Sequence, residues 1–246
     1  MIVGLSLYTT ETVKQIIADK NVHAVILGDP FCNKRMFKYG NQSLVDIAKM
    51  LISNNIEIIY QTSKYITDRN FDKEISFVNY LIDELGVKKI LFQDIGVISC
   101  LNGKYSNVEL IWSIWGKSRL NAINGQFVST LVNLGVNSVE NEMTDREKTY
   151  ETLGLKVYSI VRGITYSTLN RECYSKYLLG NFENTCRYEC KCERSIKNET
   201  GFSLTVNGFL LNEKYKNYRK CLGKIDEIVY AIDYDDYLKY TMERDL

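Results

Sequence analysis

Short runs of consecutive apolar residues alternate along this chain with longer stretches in which apolar residues return every three or four positions. The first kind reads as strands buried on both faces, the second as helices with one face on a core. Ile2–Leu7 is predicted as a strand, and Thr10–Asp19 as a short helix whose threonines can cap it. Val22–Leu27 (VHAVIL) is the second predicted strand, and Gly28-Asp29-Pro30-Phe31-Cys32 leaves it. A helix over Ser43–Asn54, a strand over Ile56–Gln61, a helix over Phe71–Leu85 stopped by Gly86 and a strand over Lys89–Gln93 follow. The alternation continues with a strand at Glu109–Ile114, a helix from Asn124 to Leu134 stopped at Gly135, and a strand at Val136–Glu140. A helix over Asp145–Leu153 stopped at Gly154 and a strand over Lys156–Val161 come next. Later in the chain, Gly201–Leu211 reads as a hairpin arm, Ile225–Ile232 as the last strand and Tyr234–Leu246 as a closing helix.

Repeated strand, helix, glycine, strand is the mark of βα units around a parallel sheet. About seven or eight such units favour a closed TIM-barrel-like fold, complete or distorted, over an open doubly wound sheet. No Pro- or Ser-rich linker divides the chain, so residues 1–246 are expected to form a single domain, with 163–211 as a cysteine-rich insertion at the C-terminal end of a strand. Barrels keep their chemistry at that end.

Composition narrows the picture. The 246 residues are 45% hydrophobic and 25% charged, an ordinary globular balance. Thirty-one basic against 30 acidic residues leave a net charge of +1, so no whole-chain field draws the protein to nucleic acid or an anionic membrane. An RNA substrate would need a local basic patch. The N-terminus has no basic, apolar leader, and no run of about eighteen apolar residues occurs. A soluble, cytoplasmic protein without membrane insertion is expected.

The densest chemistry lies in Cys173–Cys192, CYSKYLLGNFENTCRYECKC, which holds four of the seven cysteines. Cys186, Cys190 and Cys192 sit among Arg187, Glu189, Lys191 and Glu193, where no apolar face could absorb them. A soft-metal site explains that better than packing. Two cysteines separated by three residues can close on one metal centre from a single loop, and zinc and iron–sulfur clusters both accept such thiolates. The odd cysteine count argues against a disulfide framework. Cys100 is expected to be packed under a loop, and Cys221, in YRKCLGK, to be an exposed thiol in a basic setting.

Other chemistries are thin. There is no HExxH, and His23, the one histidine, falls in a predicted strand as a core or strand-end residue. Gly116-Lys117-Ser118 resembles the end of a phosphate-binding loop, but Ile111 stands where the upstream glycine belongs. Polar residues at predicted C-terminal strand ends remain: Asp29, Arg35, Gln93, Asp94, Glu140, Glu142 and Arg162. Carboxylates beside arginines at one mouth would suit a small anionic substrate, with Asp29, Arg35, Asp94, Glu140 and Arg162 as its candidate contacts.

The GDPFCNKR turn, the Ile164–Cys192 stretch with its Arg-Glu-Cys, Asn184 and C-x-x-x-C, and the Phe202–Leu211 strand together resemble the peptidase U32 family over most of the chain. Within it, the pattern is most similar to the UbiV-like iron–sulfur subunit of oxygen-independent ubiquinone hydroxylation. That resemblance implies Cys32, Cys173, Cys186 and Cys190 as ligands of a [4Fe–4S] cluster, with Cys192 as an alternative ligand. Other family members take a ligand seven residues before Cys173, where this chain has Tyr166. Cys32 then supplies the fourth thiolate. The resemblance further implies hydroxylation with oxygen taken from a small anionic organic donor such as prephenate, an aromatic substrate such as a quinone precursor, and a second U32-family subunit as partner. Longer relatives hydroxylate uridines in RNA, and the founding description is a protease. No extra C-terminal domain of the RNA-modifying kind is expected from this sequence. A structural module holding zinc is the reading from a different class, since four thiolates suit either centre.

Overall fold

The computed structural model describes residues 1–5, 8–28, 36–63, 66, 68–113, 125–141, 149–163, 194–197, 203–206, 210–212, 226–231 and 233–242. Within them the chain runs β1 (Ile2–Leu5), α1 (Thr10–Ala18), β2 (Ala24–Leu27), α2 (Met36–Ser53), β3 (Glu57–Gln61), α3 (Asp68–Leu85), β4 (Lys89–Phe92), α4 (Ile95–Leu101), β5 (Glu109–Trp112), α5 (Gly125–Asn133), β6 (Ser138–Asn141) and β7 (Lys156–Gly163). Three short strands, β8 (Arg194–Lys197), β9 (Ser203–Val206) and β10 (Leu210–Asn212), precede β11 (Glu227–Ala231) and α6 (Tyr234–Met242).

Eight strands close into a barrel in the order β1-β11-β7-β6-β5-β4-β3-β2, every pair parallel. Burial on both faces explains why these strands read as apolar runs rather than as alternating ones. On β2 all four residues are buried, with Ala24 and Ile26 inside the barrel and Val25 and Leu27 under the helices. The same alternation puts Ile59, Leu91, Ile111 and Ile228 inside, and Ile58, Tyr60, Ile90 and Val229 outside.

The helices meet the sheet through spacings the sequence already carries. On α2, Leu44, Val45, Ala48 and Leu51 recur at three and four residues and are all buried. Thr9 caps α1, its hydroxyl accepting from the Thr12 N–H at 3.1 Å. The helix stops at Gly86, Gly135 and Gly154 are all present. Gly86 takes φ +68, its N–H reaches the Ile82 carbonyl at 3.1 Å, and the next N–H, of Val87, reaches Leu81 at 3.0 Å. That left-handed turn releases the chain into β4.

Several boundaries differ from expectation. The helix predicted from Ser43 starts at Met36, because Gly40 reads as a breaker while the buried turns beyond it carry the helix through. Helix α4 was not predicted at all. At seven residues it is too short to show a period, although Val97, Ile98 and Leu101 are buried. Cys100 therefore lies half-buried on this helix and not beneath a loop. The hairpin arm is present as antiparallel β9 and β10, and β8 joins it as a third strand. Of the predicted 145–153 helix, residues 149–152 are helical and 145–148 lie outside the described residues, as do the Gly116-Lys117-Ser118 turn and Cys221.

Candidate functional site

The C-terminal mouth of the barrel is floored by polar side chains on the inward phase of the strands. Gln93 follows Leu91, Ser113 follows Ile111, Glu140 follows Ser138, and Tyr230 follows Ile228, each two residues on and so on the same face. They form one connected chain. Gln93 Nε2 donates to Ser113 Oγ at 3.3 Å, and Ser113 Oγ donates to Glu140 Oε2 at 2.8 Å. Tyr230 OH donates to Glu140 Oε1. Ser113, Glu140 and Tyr230 are each 0% exposed, so both oxygens of a fully buried carboxyl group accept from buried hydroxyls.

The Tyr230 ring reaches Glu140 by lying over Gly4, its register partner on β1. A Cβ on Gly4 would stand 2.4 Å from the ring's Cε1. Glycine is there because an aromatic ring takes the space. At the end of β3, Glu74 of α3 accepts from Tyr60 OH, from the Ser63 N–H and from Ser63 Oγ, each at 3.1 Å. Burial, and then the Glu74 carboxylate, push the Tyr60 phenol well above its ordinary pKa, so it stays a proton donor. This ties the β3–α3 connection down at the mouth.

Of the candidates read from the sequence, the structure joins Gln93 and Glu140 through Ser113. Asp94 is half-buried beside them, and its Oδ1 caps α4 by accepting from the Gly96 N–H at 2.8 Å. Asn caps as well as Asp does. Asp94→Asn is therefore expected to hold the unfolding free energy to within about 0.5 kcal/mol in a denaturant titration, and Asp94→Ala to lose about 1 kcal/mol. A substrate contact at Asp94 would show as a KM change in the Asn variant, which keeps the cap. Arg162 lies on β7, with its side chain outside the described residues. Asp29, Arg35, Glu142 and the five cysteines Cys32, Cys173, Cys186, Cys190 and Cys192 lie outside them altogether. Among the described residues no group of three or more His, Cys, Asp or Glu side chains could hold a metal ion.

The opposite mouth is closed by charge. Lys89 Nζ lies 2.6 Å from Glu57 Oε2, and Lys156 Nζ donates to Tyr158 OH at 3.0 Å and pairs with Asp226 at 3.2 Å. Tyr158 OH donates to Glu109 Oε1 at 2.9 Å, an oxygen that Ser138 also reaches. Burial and Glu109 raise the Tyr158 phenol far above its usual range. His23 stands just before β2, its Nδ1 2.9 Å from the amino nitrogen of Met1. Burial, then that amino group, lowers its pKa. It is thus a strand-end histidine, at the wrong end of the barrel to serve a nucleophile at the C-terminal mouth.

Across residues 9–229 the sequence matches the family described as peptidase family U32. The chain belongs to peptidase family U32. The U32 fold extends to a solved relative, the U32 peptidase Mk0906, with a TM-score of 0.50 and 11% sequence identity over 94% of this chain and 92% of that one. At that identity the likeness concerns the fold alone. No curated protein matches this U32 chain in sequence. Among its described residues no helix is long and apolar enough to cross a membrane.

Proposed function

We propose that this U32 chain is an iron–sulfur protein of the UbiV-like kind, a subunit of an oxygen-independent hydroxylase. It takes oxygen from a small anionic organic donor such as prephenate, acts on a quinone precursor or another small aromatic, and works with a second U32-family subunit. The observation that carries this reading is the cysteine pattern set against the strand order. Cys32 falls in the segment that follows β2, and Cys173, Cys186 and Cys190 in the segment that follows β7. In an all-parallel barrel both strands end at one mouth. Tyr166 stands where other family members carry a ligand, and Cys32 makes up the count.

Four thiolates are the donor set of a [4Fe–4S] cluster, which when bound supplies one-electron chemistry. Cys192, two residues past Cys190, is a thiolate that can exchange with it. Arg35 and Arg162 suit a dicarboxylate through forked hydrogen bonds. Asp94 and Glu140 are acidic groups at the C-terminal ends of the strands, Asp29 follows β2 in the sequence, and the buried Gln93–Ser113–Glu140–Tyr230 chain keeps the floor rigid. The position of His23 counts against a Cys/His or Ser/His peptidase, and the net charge of +1 against an RNA substrate.

Protein purified without oxygen is expected to carry about four irons and four acid-labile sulfides per chain. Single alanine changes at Cys32, Cys173, Cys186 and Cys190 should each lose them, and Cys192→Ala should keep them. Zinc bound in place of iron would turn the chain into a structural module without a redox centre.

A further inference from the structure

The barrel interior also holds a polar group that the network at the mouth leaves out. Gln61, at the end of β3, is 1% exposed, and neither its Nε2 nor its Oε1 has a hydrogen-bond partner. It shares the inward face with Ile59 and pairs in register with Leu91, one inward position below Gln93. Thr62, the next residue, is also buried with an unpaired hydroxyl. A buried amide left unpaired forfeits its hydration with no return, and folded proteins keep such groups only where something completes them.

The chain leaving the neighbouring strand passes Gln61 without a side chain. Gly28 follows β2 with φ +150, and a Cβ there would lie 2.6 Å from the Gln61 carbonyl oxygen and 2.8 Å from its Cβ. No side chain from this position crowds the amide, and none can be added without moving β3.

We propose that Gln61 is a ligand-positioning residue of the mouth, and that it takes an uncharged group presenting an acceptor and a donor side by side, the carboxamide edge being the simplest. The argument is one of complementarity. A primary amide offers two N–H donors and one carbonyl acceptor. A carboxylate would satisfy Nε2 but set its oxygens against Oε1, and an ammonium would satisfy Oε1 and oppose Nε2. Only an uncharged donor–acceptor pair completes both. A site built to pair both atoms also rejects analogues lacking either one, because its own polar atoms are then left stranded. This inference goes beyond the cluster reading and stands without it, since it uses only the fold and Gln61.

The test uses the full chain as purified, titrated with acetamide and separately with its isostere acetate, while the assigned side-chain ¹⁵N–H signals of Gln61 are followed by NMR. Acetamide is expected to shift those signals saturably, and acetate to leave them in place. Gln61→Met, which keeps the length of the side chain, should weaken acetamide binding at least fivefold and raise the Tm of the ligand-free protein. Unshifted Gln61 signals up to molar acetamide would overturn the proposal, as would equal shifts with acetate. So would a crystal soaked in acetamide that shows only a fixed water on the amide. The wild-type titration decides the matter even if Gln61→Met does not fold. Iron and sulfide content do not enter the readout, so failure of the cluster reading and failure of this one are seen separately.

Discussion

Gly4→Ala is expected to destabilise the protein by about 3 kcal/mol, a methyl group's insertion into a filled core being the cause. The new Cβ would lie 2.4 Å and 2.5 Å from two carbons of the Tyr230 ring. That ring is 0% exposed, paired in register with Gly4, and tethered at its hydroxyl to Glu140. It has no free direction in which to move. For a chain of this size about 3 kcal/mol corresponds to a Tm lower by roughly 6–12 °C, read by calorimetry or circular dichroism. Tyr230→Phe keeps the ring and should not relieve the clash. Tyr230→Leu removes it, so the double variant Gly4→Ala/Tyr230→Leu should lose at least about 1 kcal/mol less than the sum of its parts. Strict additivity would mean that the ring does not lie over Gly4.

That glycine shows what the sequence could and could not say. The strand around it was legible, because Ile2, Val3 and Leu5 form an apolar run that only a doubly buried strand explains. The meaning of Gly4 was not, although a glycine inside a strand is a known sign of close approach. Its partner lies more than two hundred residues away in sequence, and only barrel closure brings them together. The same limit explains β8. Arg-Ser-Ile-Lys has no strand signature, and it is paired into the small sheet through its register with Ser203–Val206.

The site was legible to a similar depth. Gln93 and Glu140 stood out as polar residues at the ends of apolar runs. Ser113 did not, being small and common, and Tyr230 was absorbed into the apolar run Ile-Val-Tyr-Ala. Gln61 read as no more than the last residue of a strand. A signal for all of them was present. Once Ile59, Leu91, Ile111 and Ile228 are taken to mark the inward phase, stepping two residues toward the C-terminus lands on Gln61, Gln93, Ser113 and Tyr230. The same phase read in the other direction gives Glu57, Lys89, Glu109 and Asp226, the charged groups of the far mouth. Asp94 carried its own warning, since Asp directly before a helix is a common cap. The phase cannot be set from sequence alone, because both faces of these strands are apolar in the middle.

Glu140→Leu is expected to cost about 3 kcal/mol or more, although leucine is the more hydrophobic residue. The change takes away the acceptor that two buried hydroxyls share, and each buried donor that loses its partner costs about 1–3 kcal/mol. Burying extra apolar surface does not offset this, because Glu140 is already 0% exposed and no new area leaves water. Converting the donors as well should restore much of the loss. In Ser113→Ala/Glu140→Leu/Tyr230→Phe the carboxyl group and the two hydroxyls that donate to it go together, leaving the Gln93 amide to lose its long 3.3 Å bond to Ser113, and replacing a buried polar set by apolar groups of similar shape is often close to neutral. The comparison separates two roles for the carboxyl group. If Glu140 serves only to hold the floor, the triple variant recovers stability and, in an assay of the proposed hydroxylation, activity follows stability. If Glu140 also meets the substrate, stability returns in the triple variant while turnover does not.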